Sequence, residues 1–319
     1  MDFWRGGYSM NKHSGFGGVV HEFKKNWPLW LMALPAIVLV FVLAYMPMSG
    51  LILAFKNYRY DMGIFGSPWC GMDNFEFLFM GGTGWQITKN TILYNILNLF
   101  TSQFLSIFVA IVITEMTGIV YKKIVQSVIF LPYFISWVIV GTFVYNIFNT
   151  DYGIIKSLCE MMGIPPVNVY RIEGAWPWII CFFNSWKWCG YNSVIYIAAI
   201  TGIDSACYEA ADIDGANIWQ KIGHITFPSI RPTLITMILL QVGRILRGDF
   251  QMFYQIIGNN SNLYNATDVI DTYVFRSLTT SGNLGFSSAA TFYQSVLCFV
   301  IIMLVNGIVR KIDADYALF

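Results

Sequence analysis

Six long runs of mostly apolar residues divide the sequence, and shorter polar segments separate them. A helix needs about 20 mostly apolar residues to cross the hydrocarbon core of a bilayer, and each run reaches that length. The pattern therefore predicts an all-α, polytopic membrane protein with six transmembrane helices. Residues 28–309 would form the membrane domain, between a segment of residues 1–27 and a tail of residues 310–319. The predicted spans are residues 28–55, 90–114, 124–149, 175–202, 233–257 and 287–309.

The composition fits a membrane protein and excludes some other classes. Hydrophobic residues make up 56% of the chain and charged residues 12%, whereas soluble proteins carry roughly 25% charge. The net charge of +1 provides no basic surface for nucleic acid. The six cysteines form no CxxC pair and the three histidines have no metal-ligand spacing, so we expect the cysteines to act as small apolar side chains.

Basic pairs at the ends of the runs predict the orientation of the chain. Lys24-Lys25, Lys122-Lys123 and Arg310-Lys311 adjoin predicted spans, and such residues favour the cytoplasmic side. Both termini and the loop of residues 203–232 would then be cytoplasmic. Within the external segment that follows the third span, we expect a short amphipathic helix lying on the membrane. The external segments are residues 57–89, 150–174 and 258–286.

The cytoplasmic loop has the pattern of two short helices joined at a glycine. Asp204 or Ser205 can cap the first helix by accepting a backbone N–H, and Gly215 permits a turn. The second helix has an apolar stripe and should end at prolines before the fifth span. Either this hairpin packs on its own bundle or the stripe contacts a partner. The apolar stripe consists of Ile218, Trp219 and Ile222, and the prolines expected to end the helix are Pro228 and Pro232.

Residues 209–228 read EAADIDGANIWQKIGHITFP. This stretch resembles the EAA loop in membrane subunits of bacterial binding-protein-dependent ABC importers. That motif is Glu-Ala-Ala, three residues, Gly, nine residues, Ile, any residue, Leu and Pro. The spacing is kept throughout, with Phe227 in place of Leu. A second departure is Asp204, where relatives often have proline, and either residue can begin a helix.

The resemblance implies that this loop is a coupling helix, held in a groove of a cytoplasmic ATPase subunit. It also implies that ATP and magnesium are bound by that partner. The sequence contains no GxxxxGK[ST] phosphate loop, so we expect a non-catalytic permease subunit without a cofactor or metal of its own. The residues expected to couple to the ATPase are Glu209, Ala210, Ala211, Asp214, Gly215, Ile218, Trp219, Ile225 and Pro228.

Further segments resemble the carbohydrate-uptake branch of these importers, the maltose type. They are residues 24–35, 45–47 and 54–58 around the first span, and residues 268–276 and 285–294 near the last span. More narrowly, they are similar to permeases for polysaccharide fragments, the aldouronate type. This implies the type I ABC importer permease fold in a bacterial cell membrane. The implied partners are a second homologous permease subunit, two ATPase subunits and an extracellular sugar-binding lipoprotein. The external segments 57–89 and 258–286 would meet that lipoprotein.

Charged residues in the fourth and fifth runs mark a candidate sugar path, because a charge at the bilayer centre costs roughly 2.5–3.5 kcal/mol on insertion scales. If the fifth span is one helix, then Gln241, Arg244, Arg247, Gly248, Gln251 and Gln255 share one stripe. Asp249 falls outside this stripe unless the helix unwinds at Gly248. The charges could instead join subunits by pairing with Asp249 or with a partner's carboxylate. The candidate path residues are Trp186, Lys187, Trp188, Tyr191, Asn192, Arg244, Arg247, Asp249, Phe250, Gln251 and Tyr254.

The charges in these runs also suggest the cargo. Three cations, Lys187, Arg244 and Arg247, stand against the one anion Asp249, a net charge of 3 − 1 = +2. This excess favours an oligosaccharide with carboxylates, such as one containing uronic or sialic acid. The alternative cargo is a polyol or a sugar phosphate. An ion-coupled secondary transporter would have inverted repeats, and a membrane enzyme would have a clustered acid/base or metal set; the sequence has neither pattern.

Overall fold

The computed structural model describes residues 25–79 and 82–312, and the regular elements in these ranges are helices. Most of the predicted segment 1–27 and residues 313–319 of the tail lie outside the described residues. The chain divides into two compact units, the first ending at Ile52 and the second beginning at Leu53.

The first unit consists of one apolar helical stretch. Helix α1, Trp27–Val40, continues into a π-helical turn at Phe41–Tyr45. A 3-10 helix, Met46–Phe55, then crosses the boundary between the units. The whole stretch Trp27–Phe55 is long and apolar enough to cross a membrane, in agreement with the first predicted span.

The second unit contains the remaining helices. The longest are α4, α8, α11 and α15. The α-helices of this unit are α2 (Gly63–Gly66), α3 (Glu76–Phe79), α4 (Thr83–Glu115), α5 (Ile119–Phe130), α6 (Trp137–Phe148), α7 (Ile154–Met161), α8 (Trp176–Thr201), α9 (Ser205–Ile213), α10 (Ile218–Lys221), α11 (Phe227–Val242), α12 (Phe250–Ile257), α13 (Tyr264–Thr267), α14 (Ile270–Ser281) and α15 (Leu284–Ile312).

Among the described residues, four helical stretches are long and apolar enough to span a membrane, or six if each of two bent pairs counts as one span. The bent pairs are Ile119–Phe134 with Trp137–Phe148, at 92°, and Glu173–Thr201 with Ser205–Ile213, at 69°. The predicted all-α, six-span fold is therefore confirmed. Helix α7 lies in the segment 150–174, where a short helix was predicted, while α14 lies in the segment 258–286, for which no helix was predicted.

The prediction of a continuous third span was wrong. Helix α5 ends at Phe130, and the 3-10 helix Leu131–Phe134 follows it. Pro132 has no N–H to donate, which weakens the helix at this point. Ser136 then adopts an extended conformation and caps α6 by accepting a hydrogen bond from the Ile139 N–H. The span is thus broken between two half-helices.

The fifth span is also broken, which contradicts the predicted helix over residues 233–257. Helix α11 ends at Val242, and α12 begins only at Phe250. Asp249 caps α12 by accepting a hydrogen bond from the Met252 N–H at 3.1 Å. The predicted polar stripe therefore does not exist as one helix face, because its members belong to two helices and the turn between them.

The predicted end of the loop's second helix was wrong as well. The chain continues from α10 through a π-helical turn, Ile222–Thr226, directly into α11. Pro228 follows the π-helical turn closely and does not end the helix. Pro232 lies inside the helix without ending it.

Polar side chains join the long helices α4 and α8. Ser185 donates to Thr101 at 2.9 Å, and the Tyr196 hydroxyl bonds the amide of Gln103. Such bonds hold helices together where lipid provides no hydrophobic drive.

All six cysteines are free. The expectation that all act as apolar fillers holds for only three of them, because Cys70 and Cys159 are half-buried and Cys207 is exposed. The buried ones are Cys181, Cys189 and Cys298.

Candidate substrate path and coupling segment

The break in the fifth span, residues 243–249, is anchored to α14 and α15. Leu246 is fully buried, and its carbonyl accepts a hydrogen bond from Gln294 Nε2 at 3.0 Å. The Gly248 N–H donates to Asp271 Oδ2 at 2.7 Å, and Gln294 also donates to that oxygen, at 3.2 Å. These bonds satisfy backbone groups that the unwound helix leaves free. The break is therefore a specific, hydrogen-bonded part of the fold.

Two glycines let this segment approach its neighbours. A Cβ added at Gly243 would lie 2.9 Å from Ile302 Cδ1. A Cβ added at Gly248 would lie 3.1 Å from Val269 Cγ2 and 3.2 Å from Asp271 Oδ2. Side chains at these positions would push the break away from the groups that anchor it.

Arg244 and Arg247 are both exposed on this anchored segment, while Leu246 between them points inward. In the described part of the chain, neither guanidinium takes part in an ion pair within 4.0 Å. The two arginines therefore present positive charge at the surface of this subunit, on the turn between α11 and α12.

Lys187, also predicted on the path, is not exposed as the two arginines are. It is buried, and its Nζ donates to the carbonyl oxygens of Tyr133, at 3.0 Å, and Ile135. The same Nζ lies 5.3 Å from the centroid of the Trp137 ring. Lys187 thus satisfies carbonyls freed by the break in the third span.

Asp249 and Asn192, also predicted on the path, have structural partners too. Asp249 caps α12 and accepts a hydrogen bond from Trp137 Nε1 at 2.8 Å. Asn192 is buried and donates to Ser102 at 3.1 Å. With Lys187 and Asp249 bound internally, the two arginines are the exposed cations of the segment 243–249, and the half-buried carboxylate of Asp271 interacts with Arg247.

The aromatic residues of the predicted path fall into two groups on different helices. Tyr191 is exposed and stacks on Tyr133, with ring centroids 4.4 Å apart, and Trp188 meets Tyr133 edge-on. On α12, Phe250 stacks on Tyr254, and Gln251 is exposed beside them. Trp186 instead packs against the core.

Sequence reasoning missed four residues that shape this region. Tyr133 and Trp137 lie in the third run, where a continuous helix was assumed, and only Pro132 signalled a break. Asp271 and Gln294 anchor the fifth span from α14 and α15. A glutamine within the sixth apolar run was the available signal, because buried polar groups in membranes need partners.

The coupling segment, residues 204–228, folds through its own hydrogen bonds. Asp204 accepts from the Ala206 N–H at 3.0 Å, which confirms its predicted role as a cap. Gly215 has φ +74°, and the N–H groups of residues 215 and 216 donate to the carbonyls of Asp212 and Ala211. This is a Schellman motif, which requires a left-handed residue after the helix. The predicted turn at Gly215 is therefore confirmed.

The start of α10 is fixed in the same local way. The Asn217 side chain accepts from the Gln220 N–H at 2.9 Å, and the Gln220 side chain accepts from the Asn217 N–H at 2.8 Å. This reciprocal pair is a capping box. Lys221 and Asp212 form an ion pair across the hairpin.

Large apolar side chains of the coupling segment are left uncovered. Ile213 is 87% exposed and Trp219 is 77% exposed, and Ile218 is exposed as well. Glu209 and Ala210 are exposed on the preceding helix, and Ala211 and Ile225 are half-buried. A hairpin packed on its own bundle would bury these side chains. Asp214, Gly215 and Pro228 of the predicted contact set are also exposed.

The chain is similar to known transport permeases along nearly its whole length. Residues 104–314 match the family described as binding-protein-dependent transport system inner membrane component. The polygalacturonan/rhamnogalacturonan transport system permease protein YteP of Bacillus subtilis (strain 168) is 31% identical over 90% of this chain and 89% of its own. Protein LplB of the same organism is 30% identical over 92% of this chain and 91% of its own.

Solved structures share the fold. A chain of a bacterial ABC transporter that imports the acidic polysaccharide alginate matches with a TM-score of 0.83 and 32% identity, over 92% of this chain and 99% of that chain. The same class of transporter, in complex with an alginate pentasaccharide-bound periplasmic protein, matches with a TM-score of 0.82. The chain therefore belongs to the family of binding-protein-dependent transport system inner membrane components, as a permease subunit of an ABC importer.

Proposed function

We propose that this subunit conducts an acidic oligosaccharide and that Arg244 and Arg247 bind its carboxylates. The observation that carries the proposal is the pair of exposed guanidiniums on the anchored break of the fifth span. A charge facing lipid at mid-membrane costs roughly 2.5–3.5 kcal/mol on insertion scales. The two arginines therefore face water, cargo or the partner subunit.

The chemistry of arginine suits such a cargo. A guanidinium binds a carboxylate through two parallel N–H···O bonds and keeps its charge at any physiological pH. Phe250 and Tyr254 lie on α12, and Tyr191 of α8 stacks on Tyr133 at the break in the third span. Flat aromatic rings pack well on sugar rings. The relatives support the same class of cargo, because polygalacturonan and alginate are both polymers of acidic sugars.

The assembly that we propose contains this chain, a second homologous permease subunit, two ATPase subunits and an external sugar-binding lipoprotein. ATP and magnesium are bound by the ATPase subunits, and this chain is not catalytic. The exposed side chains of Ile213, Ile218 and Trp219 enter a groove on one ATPase subunit, which places the coupling segment and both termini in the cytoplasm. The complex of the related alginate transporter with its periplasmic protein supports a binding-protein partner.

The cargo is tested by uptake into vesicles that contain the complete importer. Galacturonate oligosaccharides, neutral xylo-oligosaccharides and a sugar phosphate are compared for the wild type, Arg244→Gln and Arg247→Gln. We expect each substitution to lower uptake of the acidic sugar at least about tenfold, the effect of losing about 1.4 kcal/mol of binding. Arg171→Gln, which removes an exposed arginine outside the segments expected to meet the lipoprotein, serves as the control.

Two results would contradict the acidic cargo. Equal uptake of the acidic and neutral sugars by the wild type would remove any role for the charge. Uptake of the sugar phosphate alone would favour the alternative cargo, since two arginines also suit a phosphate.

The coupling contact is tested by purifying the tagged chain from its own host with and without Glu209→Lys. We expect an ATPase subunit to accompany the wild type and to be lost from the variant. Glu160→Lys, an equal charge reversal on the exposed face of α7, should retain the ATPase. If the wild type is recovered without any ATPase, the assembly proposed here is wrong.

A further inference from the structure

A shallow cavity lies at the C-terminal end of α12, one helix length from the arginines of the break. Its empty space is about 350 Å³, part of it open to solvent. It is an open depression, so a ligand here would lie against its walls while remaining partly in solvent. The walls come from α12, α13 and α14, and the side chains that matter here are Tyr254, Asn259, Tyr264, Asp268, Phe275 and Arg276.

A row of aromatic rings connects the break to this cavity. Phe250, next to Asp249, stacks on Tyr254 with centroids 5.3 Å apart. Phe275 of α14 meets Phe250 at 4.7 Å and Tyr254 at 5.3 Å. Tyr254 and Phe275 are both partly exposed and line the cavity. Phe250 and Tyr254 are one turn apart, and the eight residues of α12 place the cavity at its far end about 12 Å from the break.

The polar wall of the cavity is held rigidly. The Arg276 guanidinium lies 3.9 Å from the centroid of the Tyr264 ring and pairs with Asp268. Asp268 also accepts a hydrogen bond from Thr272 at 2.7 Å. An arginine has five N–H donors in a fixed fork, and the pair with Asp268 does not use all of them. The remaining donors are fixed in direction at the cavity wall.

The lip of the cavity depends on one glycine. Gly258 has φ +61° and ψ −149°, a backbone conformation that essentially only glycine adopts. It ends α12 and turns the chain so that the exposed Asn259 borders the cavity. Asn259 adds an amide donor and acceptor beside the aromatic wall.

We propose that this cavity is a second saccharide subsite, which holds one sugar unit of an acidic oligosaccharide while another unit occupies Arg244 and Arg247. The sugar ring packs on Tyr254 and Phe275, and its hydroxyl or carboxylate oxygens accept hydrogen bonds from Arg276 and Asn259. The proposal rests on the function proposed above. It adds that cargo is recognised by length as well as by charge, because only a chain of several units reaches both places.

The subsite is tested by equilibrium binding to the complete purified importer, without the external binding protein. The probes are fluorescently labelled galacturonate disaccharide and pentasaccharide, followed by anisotropy. We expect Phe275→Ala to weaken pentasaccharide binding about tenfold, as the loss of about 1.4 kcal/mol of ring stacking would. Disaccharide binding should change less than about twofold, because Arg244 and Arg247 still hold it.

Two further variants keep the result interpretable. Phe275→Tyr preserves the ring and should bind the pentasaccharide as the wild type does, which shows that the fold survives changes at this position. Phe65→Ala removes a different exposed ring and should affect neither probe. Equal weakening of both lengths by Phe275→Ala, or no weakening of either, overturns the subsite.

The failure of the subsite is distinguishable from the failure of the proposed function. If Arg247→Gln weakens both acidic probes while Phe275→Ala has no effect, the acidic cargo stands and the subsite falls. If the wild type binds acidic and neutral pentasaccharides equally, the acidic cargo itself is wrong, and the subsite proposal is overturned with it.

Discussion

Trp137 and Asp249 join the two broken spans: the indole Nε1 of Trp137 donates to Asp249 Oδ2 over 2.8 Å. Each residue stands at the start of a half-helix, α6 or α12. The half-helices also touch at Gly141, where an added Cβ would overlap the backbone of Gln255. The two breaks are therefore one structural unit, in which a change at either break reaches the other.

Trp137→Phe should destabilise this unit. The substitution keeps an aromatic ring but removes the donor to the carboxylate of Asp249, and a hydrogen bond to a charged group contributes about 1.5–3 kcal/mol. We expect the apparent midpoint of thermal unfolding of the purified complex to fall by several degrees. Trp178→Phe, at a largely exposed tryptophan, should leave it unchanged. Equal midpoints for the two variants would mean that the bond between the spans contributes nothing.

Lys187→Met tests whether Lys187 stabilises the fold or binds the transported sugar. Methionine fills a similar volume but leaves the carbonyls of Tyr133 and Ile135 without their donor, at a cost of about 1–3 kcal/mol for each unsatisfied group. We expect reduced thermal stability and an unchanged ratio of acidic to neutral sugar uptake. Lys89→Met, on the exposed face of α4, is the matched control. A shift of the uptake ratio towards neutral sugars would return Lys187 to the substrate path.

Gly190→Ala should disturb the contact between α8 and α5. An added Cβ would overlap the carbonyl of Ile129 and lie 2.8 Å from Phe130 Cα, and forcing extra volume into a packed site costs about 1–3 kcal/mol. We expect a lower unfolding midpoint and a lower yield of folded protein. Gly202→Ala meets its nearest atoms only at 3.5 Å and should be tolerated. If both variants behave alike, the close approach at Gly190 is not needed.

Trp219→Ala should weaken ATPase binding without unfolding the subunit. The indole is 77% exposed, so its loss removes few internal contacts, whereas buried tryptophans often dominate an interface. We expect the variant to lose most of the co-purified ATPase and to keep its thermal unfolding midpoint. Trp85→Ala removes another exposed indole and should retain the ATPase. Full ATPase retention by Trp219→Ala would exclude this side chain from the contact.

The sequence predicted features that depend on length and on local chemistry. Apolar runs predicted the six spans, and the cap at Asp204 and the turn at Gly215 followed from their side chains. The break in the third span was not predicted, because an apolar run looks the same whether its helix is continuous or broken. For the fifth span, unwinding at Gly248 was raised only as an alternative. Both breaks are stabilised by distant residues, Lys187 for the third span and Gln294 for the fifth. The roles of such residues follow only from tertiary contacts.

The hydrogen bonds within the coupling segment have a consequence for assembly. Its turn is closed by the glycine motif at Gly215, and α10 begins at the capping box of Asn217 and Gln220. The segment is preorganised, so little conformational entropy is lost when it docks on a partner. In the assembly proposed above, movement of the ATPase would reach α11 through the uninterrupted helical stretch Ile218–Val242.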